Sequence, residues 1–256
     1  MTDQGIRPTK ANGEPNRAGA GTSPLVYARI AGILAILLVL LGPFSQLYVP
    51  STLIVPGDAT ATADNIRASE SLFRLAIISD LFIFFDEIVL TVLLYVLLRP
   101  VNRMLSLVAA FARLSMAIIQ GINLLPSFIV LLLLSGASYL RVFEPDQLDS
   151  LELLFLNARE HGVYVWQAVF VLHLFVLGYL VFKSGYFPRI LGLLLILGAL
   201  GYLIDSFGNI LFPNYEEIFG VVVAVGSIIG ELPFFLWLLI KGVNVQKWHE
   251  RASASP

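Results

Sequence analysis

The sequence predicts an all-α fold, a polytopic membrane protein built as a bundle of six transmembrane helices with amphipathic helices on its outer side. Mean hydropathy is +0.83, and only 13% of the 256 residues are charged, against about 25% in soluble domains. A helix needs about 20 predominantly apolar residues to cross a bilayer. Six segments satisfy that length: residues 25–47, 75–98, 104–125, 162–182, 189–208 and 218–240.

Composition also excludes several classes of protein. The net charge of −2 and the pI near 5.9 argue against a nucleic-acid partner. The chain has no cysteine, which excludes a disulfide-stabilised domain, an Fe–S cluster and thiol-linked redox chemistry. We expect no cofactor.

The chain divides into three parts by composition. Residues 1–24 are rich in Gly, Pro, Thr and Asn and lack an apolar face, which is typical of a disordered tail. Residues 25–245 form the predicted transmembrane domain, and residues 246–256 a second short tail. We expect the first apolar segment to be a retained helix, because an Ala-x-Ala-like cleavage site occurs only at 61–63, well beyond it.

The distribution of Lys and Arg predicts the orientation. Eleven of these residues fall in the tails, in the first turn of the first helix and in the second–third and fourth–fifth connections, whereas four fall in the opposite loops. Positive residues are enriched on the cytoplasmic side of a membrane. We therefore expect a multi-pass protein of the cell membrane with both termini in the cytoplasm.

Turn residues and prolines predict how the helices connect. The short segments 99–103 and 183–189 make the second and third helices, and the fourth and fifth, antiparallel neighbours. Pro126 should kink or end the third helix. Gly226 and Gly230, four residues apart in the sixth helix, favour close packing against a neighbouring helix.

Two long outer loops are predicted to contain helices. The first, residues 45–74, should be helical near 62–74. The second, residues 137–161, starts its helix at Glu144-Pro145-Asp146 and has an apolar stripe. This second helix either lies on the outer membrane surface or caps the bundle.

Polar residues within the predicted helices are the candidates for function, because each buried charge costs about 2.5–3.5 kcal/mol on insertion. A rise of about 1.5 Å per residue places Glu87, Arg113, His173 and Glu231 about 14–17 Å deep, near the midplane. Spacings of seven residues then predict a polar track from the outer surface to this level. The candidate pocket residues are Asp80, Asp86, Glu87, Arg113, Gln120, His173, Asp205 and Glu231.

The charges within the helices do not balance, since five carboxylates accompany one arginine and one histidine. Arg113 can pair with Glu87 or Asp86. Glu231 and Asp205 then need protons, His173, amide donors, water or a metal ion. The alternative is that all these side chains only hold the helices together.

Signals for catalysis are weak, so whether the protein is an enzyme stays open, with a non-enzymatic function favoured and no catalytic residue assigned. The three histidines lack the spacing of helical metal ligands, and there is no HExxH motif, nucleophile elbow or phosphate-binding loop. A metal site made of His173, Asp86, Glu87 and Glu231 would require three helices to converge, and no metal ligand is assigned.

Several separated stretches resemble one known family. They are Arg29-Ile30-Ala31-Gly32, Leu94–Arg103, Phe143–Leu148, Phe182–Arg189, Gly201–Asn209, Gly230-Glu231-Leu232 and Trp237–Gly242. The chain is similar over about residues 25–245 to the prokaryotic integral-membrane family catalogued as domain of unknown function 4386. The resemblance implies a helical bacterial membrane protein and implies no activity.

The leading functional hypothesis is a pocket, open to the outer side, that binds or moves a small solute or a lipid, with coupling to a proton or cation. A first alternative is a sensory or scaffold subunit that meets a protein partner through its outer loops. A second is an intramembrane metal enzyme. The bilayer itself is the expected surrounding partner, and the sequence does not decide the oligomeric state.

Overall fold

The computed structural model describes residues 23–254, whose regular secondary structure is entirely helical and which contain no β-strand. Six helical segments within this part are long and apolar enough to cross a membrane. The six-helix bundle predicted from the sequence is therefore confirmed, and the chain is a multi-pass membrane protein. The spanning segments are Pro24–Leu53, Glu70–Leu98, Arg103–Leu133, Pro145–Ser184, Arg189–Leu211 and Pro213–Ile240.

The first spanning segment is not one regular helix. Helix α1 (Pro24–Pro43) is followed by one π-helical turn (Phe44–Tyr48) and by α2 (Val49–Leu53). Pro43 lacks the N–H that would bond to the preceding turn, which weakens the regular helix where the wider turn starts. The π turn places Gln46 and Ser45 beside the interior of the bundle.

The first long loop carries α3 (Ala59–Ala68), which is capped by the Asp58 side chain accepting from the Ala61 N–H at 2.9 Å. Helix α4 (Glu70–Leu98) begins directly after it, five residues before the predicted start of the second apolar segment. The predicted helix near 62–74 is thus divided between α3 and the first turn of α4.

The third spanning segment is broken where proline predicts a break. Helix α5 (Arg103–Ile122) ends before Asn123, and α6 (Leu125–Leu133) continues the crossing. Pro126 occupies the first turn of α6, where its missing N–H costs nothing. The break therefore lies just before the proline.

Helix α7 (Pro145–Ser184) is continuous over 40 residues, about 60 Å at 1.5 Å per residue. Its capping box uses Glu144 and Gln147. The predicted outer helix is thus the first part of the fourth spanning helix and not a separate element, which argues against the alternative that it lies on the membrane surface. The capping alternative is supported, because α3 packs on this part of α7.

One ion pair fixes α3 to the first turns of α7. Arg67 Nη2 lies 2.5 Å from Asp149 Oδ1, and Asp149 and Glu152 are both buried. The hydrogen bond that Arg67 donates to Asp149 raises the pKa of Arg67 above its usual value, so the guanidinium stays charged.

The last two spanning segments pack through glycines. Helix α8 (Arg189–Leu211) lies against α9 (Glu216–Gly230), and a Cβ at Gly230 would fall 2.7 Å from the Cα of Gly198. Helix α9 then gives way to α10 (Leu232–Ile240) at Glu231. The predicted role of Gly226 and Gly230 in close helix packing is supported.

The end of the bundle that carries both described termini is closed by three segments meeting at one carbonyl. Tyr186 Oη and Trp248 Nε1 both donate to the Leu97 carbonyl, at 2.7 and 2.9 Å. Trp248 belongs to α11 (Val245–Ser253), so most of the predicted second tail is an ordered helix. The predicted first tail lies, up to residue 22, outside the described residues.

Candidate functional site

A cavity of about 300 Å³ lies within the bundle. Helices α1, α4, α5, α7 and α8 contribute to its wall, as do α9 and α10. Its lining is mostly apolar, with a few converging polar groups, which is the usual chemistry of a small-molecule site. The polar and titratable lining residues are Gln46, Glu87, Arg113, Gln120, Tyr202, Ser227 and Glu231.

Interruptions in the helices lie next to this cavity. Gln46 stands on the π turn after α1, and Glu231 stands between α9 and α10, two residues before Pro233. Irregular backbone within a membrane is tolerated where it is buried in protein or lines a cavity. The broken helices therefore expose polar groups to the interior rather than to lipid.

Arg113 is the central charge of the site and is only 1% exposed. Its Nε lies 2.6 Å from Oε2 of Glu87, whose side chain is 8% exposed. The Nε–H does not point at this oxygen well enough for a hydrogen bond, so the contact is an ion pair. Of the two partners predicted for Arg113, the structure selects Glu87.

His173 links Arg113 to the backbone of α5 through its two ring nitrogens. Its Nδ1 lies 2.8 Å from the Ala109 carbonyl, and its Nε2 lies 3.1 Å from Arg113 Nη1. Because a carbonyl only accepts, Nδ1 carries the proton and Nε2 accepts from Arg113. The Phe170 ring stacks on His173 and lies 5.6 Å from the guanidinium carbon, so Arg113 is held on three sides.

Glu231 is buried, and within the described residues only one of its two carboxyl oxygens accepts a hydrogen bond. The Tyr202 hydroxyl donates to its Oε1 at 2.9 Å. The other oxygen, Oε2, receives no hydrogen bond from residues 23–254 and is not sealed off, since it is absent from the fully enclosed unpaired atoms. Because Glu231 lines the cavity, this oxygen is available to a further partner there.

A second polar cluster lies near the end of the bundle opposite to the one that carries the termini. We call that end the distal end and this group of residues the distal cluster. Asp80 accepts from Ser45 Oγ on Oδ1 and from Arg159 Nη2 on Oδ2, each at 2.6 Å. The Arg159 carbonyl accepts in turn from the Asn123 side chain at 2.8 Å. Only small voids of about 10–20 Å³ adjoin this distal cluster.

The two sites are connected by shared side chains. Gln46, Gln120 and Trp166 line both the large cavity and a void of about 10 Å³ beside Asp80. This arrangement follows the predicted polar track. The track narrows to a void of about 10 Å³ at the Asp80–Arg159 ion pair, so the described residues leave only a narrow connection toward the distal end, the side on which the pocket was expected to open.

The cavity instead has its rim between α1 and α9. Val39 on α1 and Ile228 on α9 line it and are 37% and 60% exposed. Helix α1 packs along α4 and α10, whereas α9 packs along α8. Val39 lies about 22 Å from the start of α1, and Ile228 about 18 Å from the end of α10. The rim is therefore at the depth of the hydrocarbon core.

The structure brings half of the predicted pocket residues together at the cavity. Glu87, Arg113, Gln120 and Glu231 line it. His173 reaches it only through Arg113, and Asp80 belongs to the distal cluster. Neither of the two remaining candidates lines the cavity: Asp86 has a buried Oδ2 without a hydrogen-bond partner, and Asp205 accepts from Asn209 at 3.0 Å.

Sequence reasoning missed the aromatic part of the site. Tyr202, Phe170 and Trp166 line the cavity, and Tyr202 supplies the donor that Glu231 was expected to need. A buried tyrosine needs a partner for its hydroxyl, which was the available signal. Arg159 was placed in an outer loop, whereas it pairs with the buried Asp80.

The described part of the chain contains no group of side chains arranged to bind a metal ion. No three His, Asp or Glu side chains of residues 23–254 converge on one point. Both ring nitrogens of His173 are already engaged, so this histidine cannot serve the metal site considered from the sequence.

Comparison with known proteins identifies a family for this chain. Residues 30–242 match the family described as Domain of unknown function (DUF4386). An uncharacterized protein of Archaeoglobus fulgidus is 42% identical over 73 residues, which are 28% of this chain and 41% of that protein. The chain thus spans less than half of that relative's length. No solved structure matches. Because the match covers most of the sequence, the chain belongs to the DUF4386 family.

Proposed function

We propose that this protein binds a small solute or a lipid-like molecule in the cavity between α1 and α9. The observation that carries the proposal is a void of about 300 Å³ that contains a buried ion pair and a half-satisfied carboxyl group. Helix packing alone would favour closing such a void, because the lining atoms lose contacts there.

Two features support binding rather than simple packing. The cavity volume is at the lower end of the range of about 300–1,000 Å³ typical of ligand sites. Its apolar walls and few polar groups would orient a bound molecule. The proposal concerns binding; transport of the same molecule would require a second opening, and the distal cluster narrows the path there.

A cavity-filling substitution tests the proposal. Gly42 lines the cavity, and a Cβ at this position meets no atom within 4 Å. Gly220 on α9 is equally free of neighbours and does not line the cavity. Gly42→Phe should therefore fill the cavity while Gly220→Phe serves as the matched control.

The measurement is thermal unfolding in phosphatidylcholine nanodiscs with dodecanol, dodecylamine and dodecanoate as probes. At about 100 times Kd a bound ligand stabilises by about 2.7 kcal/mol. We expect at least one probe to stabilise the wild type and Gly220→Phe but not Gly42→Phe. Absence of stabilisation by all three probes, or stabilisation that Gly42→Phe leaves intact, would overturn the proposal.

We also propose that the protein lies in the cell membrane with both termini in the cytoplasm, as the Lys and Arg distribution predicts. Because the native chain has no cysteine, a single thiol can report each side. In intact cells a membrane-impermeant maleimide should label Ser138→Cys, in the 3₁₀ turn Ser138–Val142 at the distal end, and not Ser253→Cys. The reverse pattern would invert the orientation.

A further inference from the structure

We propose that the ligand of this cavity is an amphipathic amine, which enters sideways from the hydrocarbon core and places its cationic head beside Glu231. This inference rests on the proposed function and specifies the chemical class of the ligand. Three independent features of the site carry it: the balance of charge, the aromatic lining and the position of the rim.

The balance of charge in the cavity leaves one acid without a cation. Glu87 and Arg113 form a pair, and His173 accepts a hydrogen bond from Arg113 as a neutral ring. Glu231 is 7% exposed, and within residues 23–254 its donor is the Tyr202 hydroxyl alone, so its Oε2 is available to a ligand in the cavity. A ligand that brings a positive N–H group would satisfy this oxygen.

The aromatic residues favour the same head group. Trp166, Tyr202 and Phe235 line the cavity together with Glu231. Cations bind favourably over aromatic faces, and desolvated examples are among the strongest. Phe170 already serves Arg113 in this way, which leaves the other three rings for a ligand.

The rim indicates that the rest of the ligand is apolar. Leu38 and Val39 on α1, Ile228 on α9 and Leu232 on α10 line the cavity, and Val39 and Ile228 are exposed at its mouth. The mouth lies at the depth of the acyl chains, so a molecule entering there must first dissolve in the membrane. An alkyl chain can occupy the mouth and extend into lipid while the amine reaches Glu231.

Binding of dodecylamine and dodecanol to the same nanodiscs tests this directly, since the two probes differ only in the head group. We expect dodecylamine to bind the wild type about tenfold more tightly than dodecanol. Glu231→Gln should remove this preference. Glu217→Gln, at the exposed start of α9, controls for general attraction between the protein's charge and the amine and should leave the preference unchanged.

Tyr202→Phe provides a second variant should Glu231→Gln fold poorly. It removes the donor that Glu231 has among the described residues, so the carboxylate depends more on the ligand. The preference for the amine should therefore persist or increase. A general loss of structure would instead reduce binding of both probes equally.

The outcomes separate the two proposals. Equal binding of amine and alcohol, abolished by Gly42→Phe, would overturn the amine inference and leave the proposed function standing. Amine preference that survives Glu231→Gln would also overturn it, because the cation would then be bound elsewhere. If no probe binds, both proposals fail.

Discussion

The distal cluster and the cavity use the same pair of residue types, an acid and an arginine, with opposite results. In the distal cluster both oxygens of Asp80 are bonded, one to Ser45 and one to Arg159, and only small voids remain. In the cavity Glu87 and Arg113 are paired, yet Glu231 keeps a free oxygen beside about 300 Å³ of space. Buried polar residues alone therefore do not indicate a ligand site. A hydrogen-bond acceptor that has no partner and lies next to a void does indicate one.

The backbone explains part of this difference. Helices α8 and α9 approach closely because Gly198 and Gly201 face Gly226 and Gly230. Packing on α8 holds α9 away from α1, and the opening forms between these two helices. The close packing of α8 and α9 and the opening between α1 and α9 both follow from the position of α9.

The largest expected effect is that of Arg113→Ala. Removing one partner of a buried ion pair costs about 3–5 kcal/mol, because the other charge stays buried without compensation. Glu87→Gln in the same chain should recover part of the loss. The measurement is a double-mutant cycle of unfolding free energies in a mild detergent. Additive effects of the two substitutions would mean that the pair is not energetically coupled.

Asp80→Asn should have a smaller effect, about 1–3 kcal/mol of destabilisation, because Arg159 keeps partial access to solvent and an amide oxygen can still accept one bond. Binding of dodecylamine should be unchanged, since Asp80 does not line the cavity. Equilibrium binding beside thermal unfolding checks both statements. If Asp80→Asn weakened dodecylamine binding as much as Glu231→Gln does, the distal cluster would be part of the binding site, contrary to this account.

Tyr202→Phe should destabilise least, by about 0.5–1.5 kcal/mol, the usual net value of one hydrogen bond. Its ring still fills the same space and still lies at the edge of Phe170. Thermal unfolding of this variant beside Tyr179→Phe, an exposed tyrosine of α7, isolates the hydroxyl. Equal unfolding temperatures in the two variants would show that the bond to Glu231 contributes nothing.

The sequence predicted the six helices because hydropathy over about 20 residues is a strong signal. Depth along a helix follows from the rise per residue, and this predicted one level for Glu87, Arg113 and Glu231, which all line the cavity. His173, predicted at the same level, reaches the cavity only through Arg113. Asp205 was misjudged because depth does not tell which way a side chain turns. The continuity of α7 was missed because residues 145–161 have a different composition from the apolar residues that follow.

The position of the opening could not be predicted for a related reason. The position of the opening depends on which helices pack against each other, and the order of the helices along the sequence does not determine those partners. The glycines of α9 indicated close packing without naming α8 as the partner. Only the assembled bundle shows that α1 and α10 pack together while α1 and α9 do not close the cavity.

The most direct test compares two serines replaced by cysteine in a chain that has no other thiol. Ser227 lines the cavity, and Ser45 is enclosed in the distal cluster. N-ethylmaleimide should modify Ser227→Cys about tenfold faster than Ser45→Cys in nanodiscs, since reaction requires access to the thiol. Dodecylamine should slow the first reaction only. Equal rates at the two positions, or no protection by dodecylamine, would contradict an open cavity that binds an amine from the membrane.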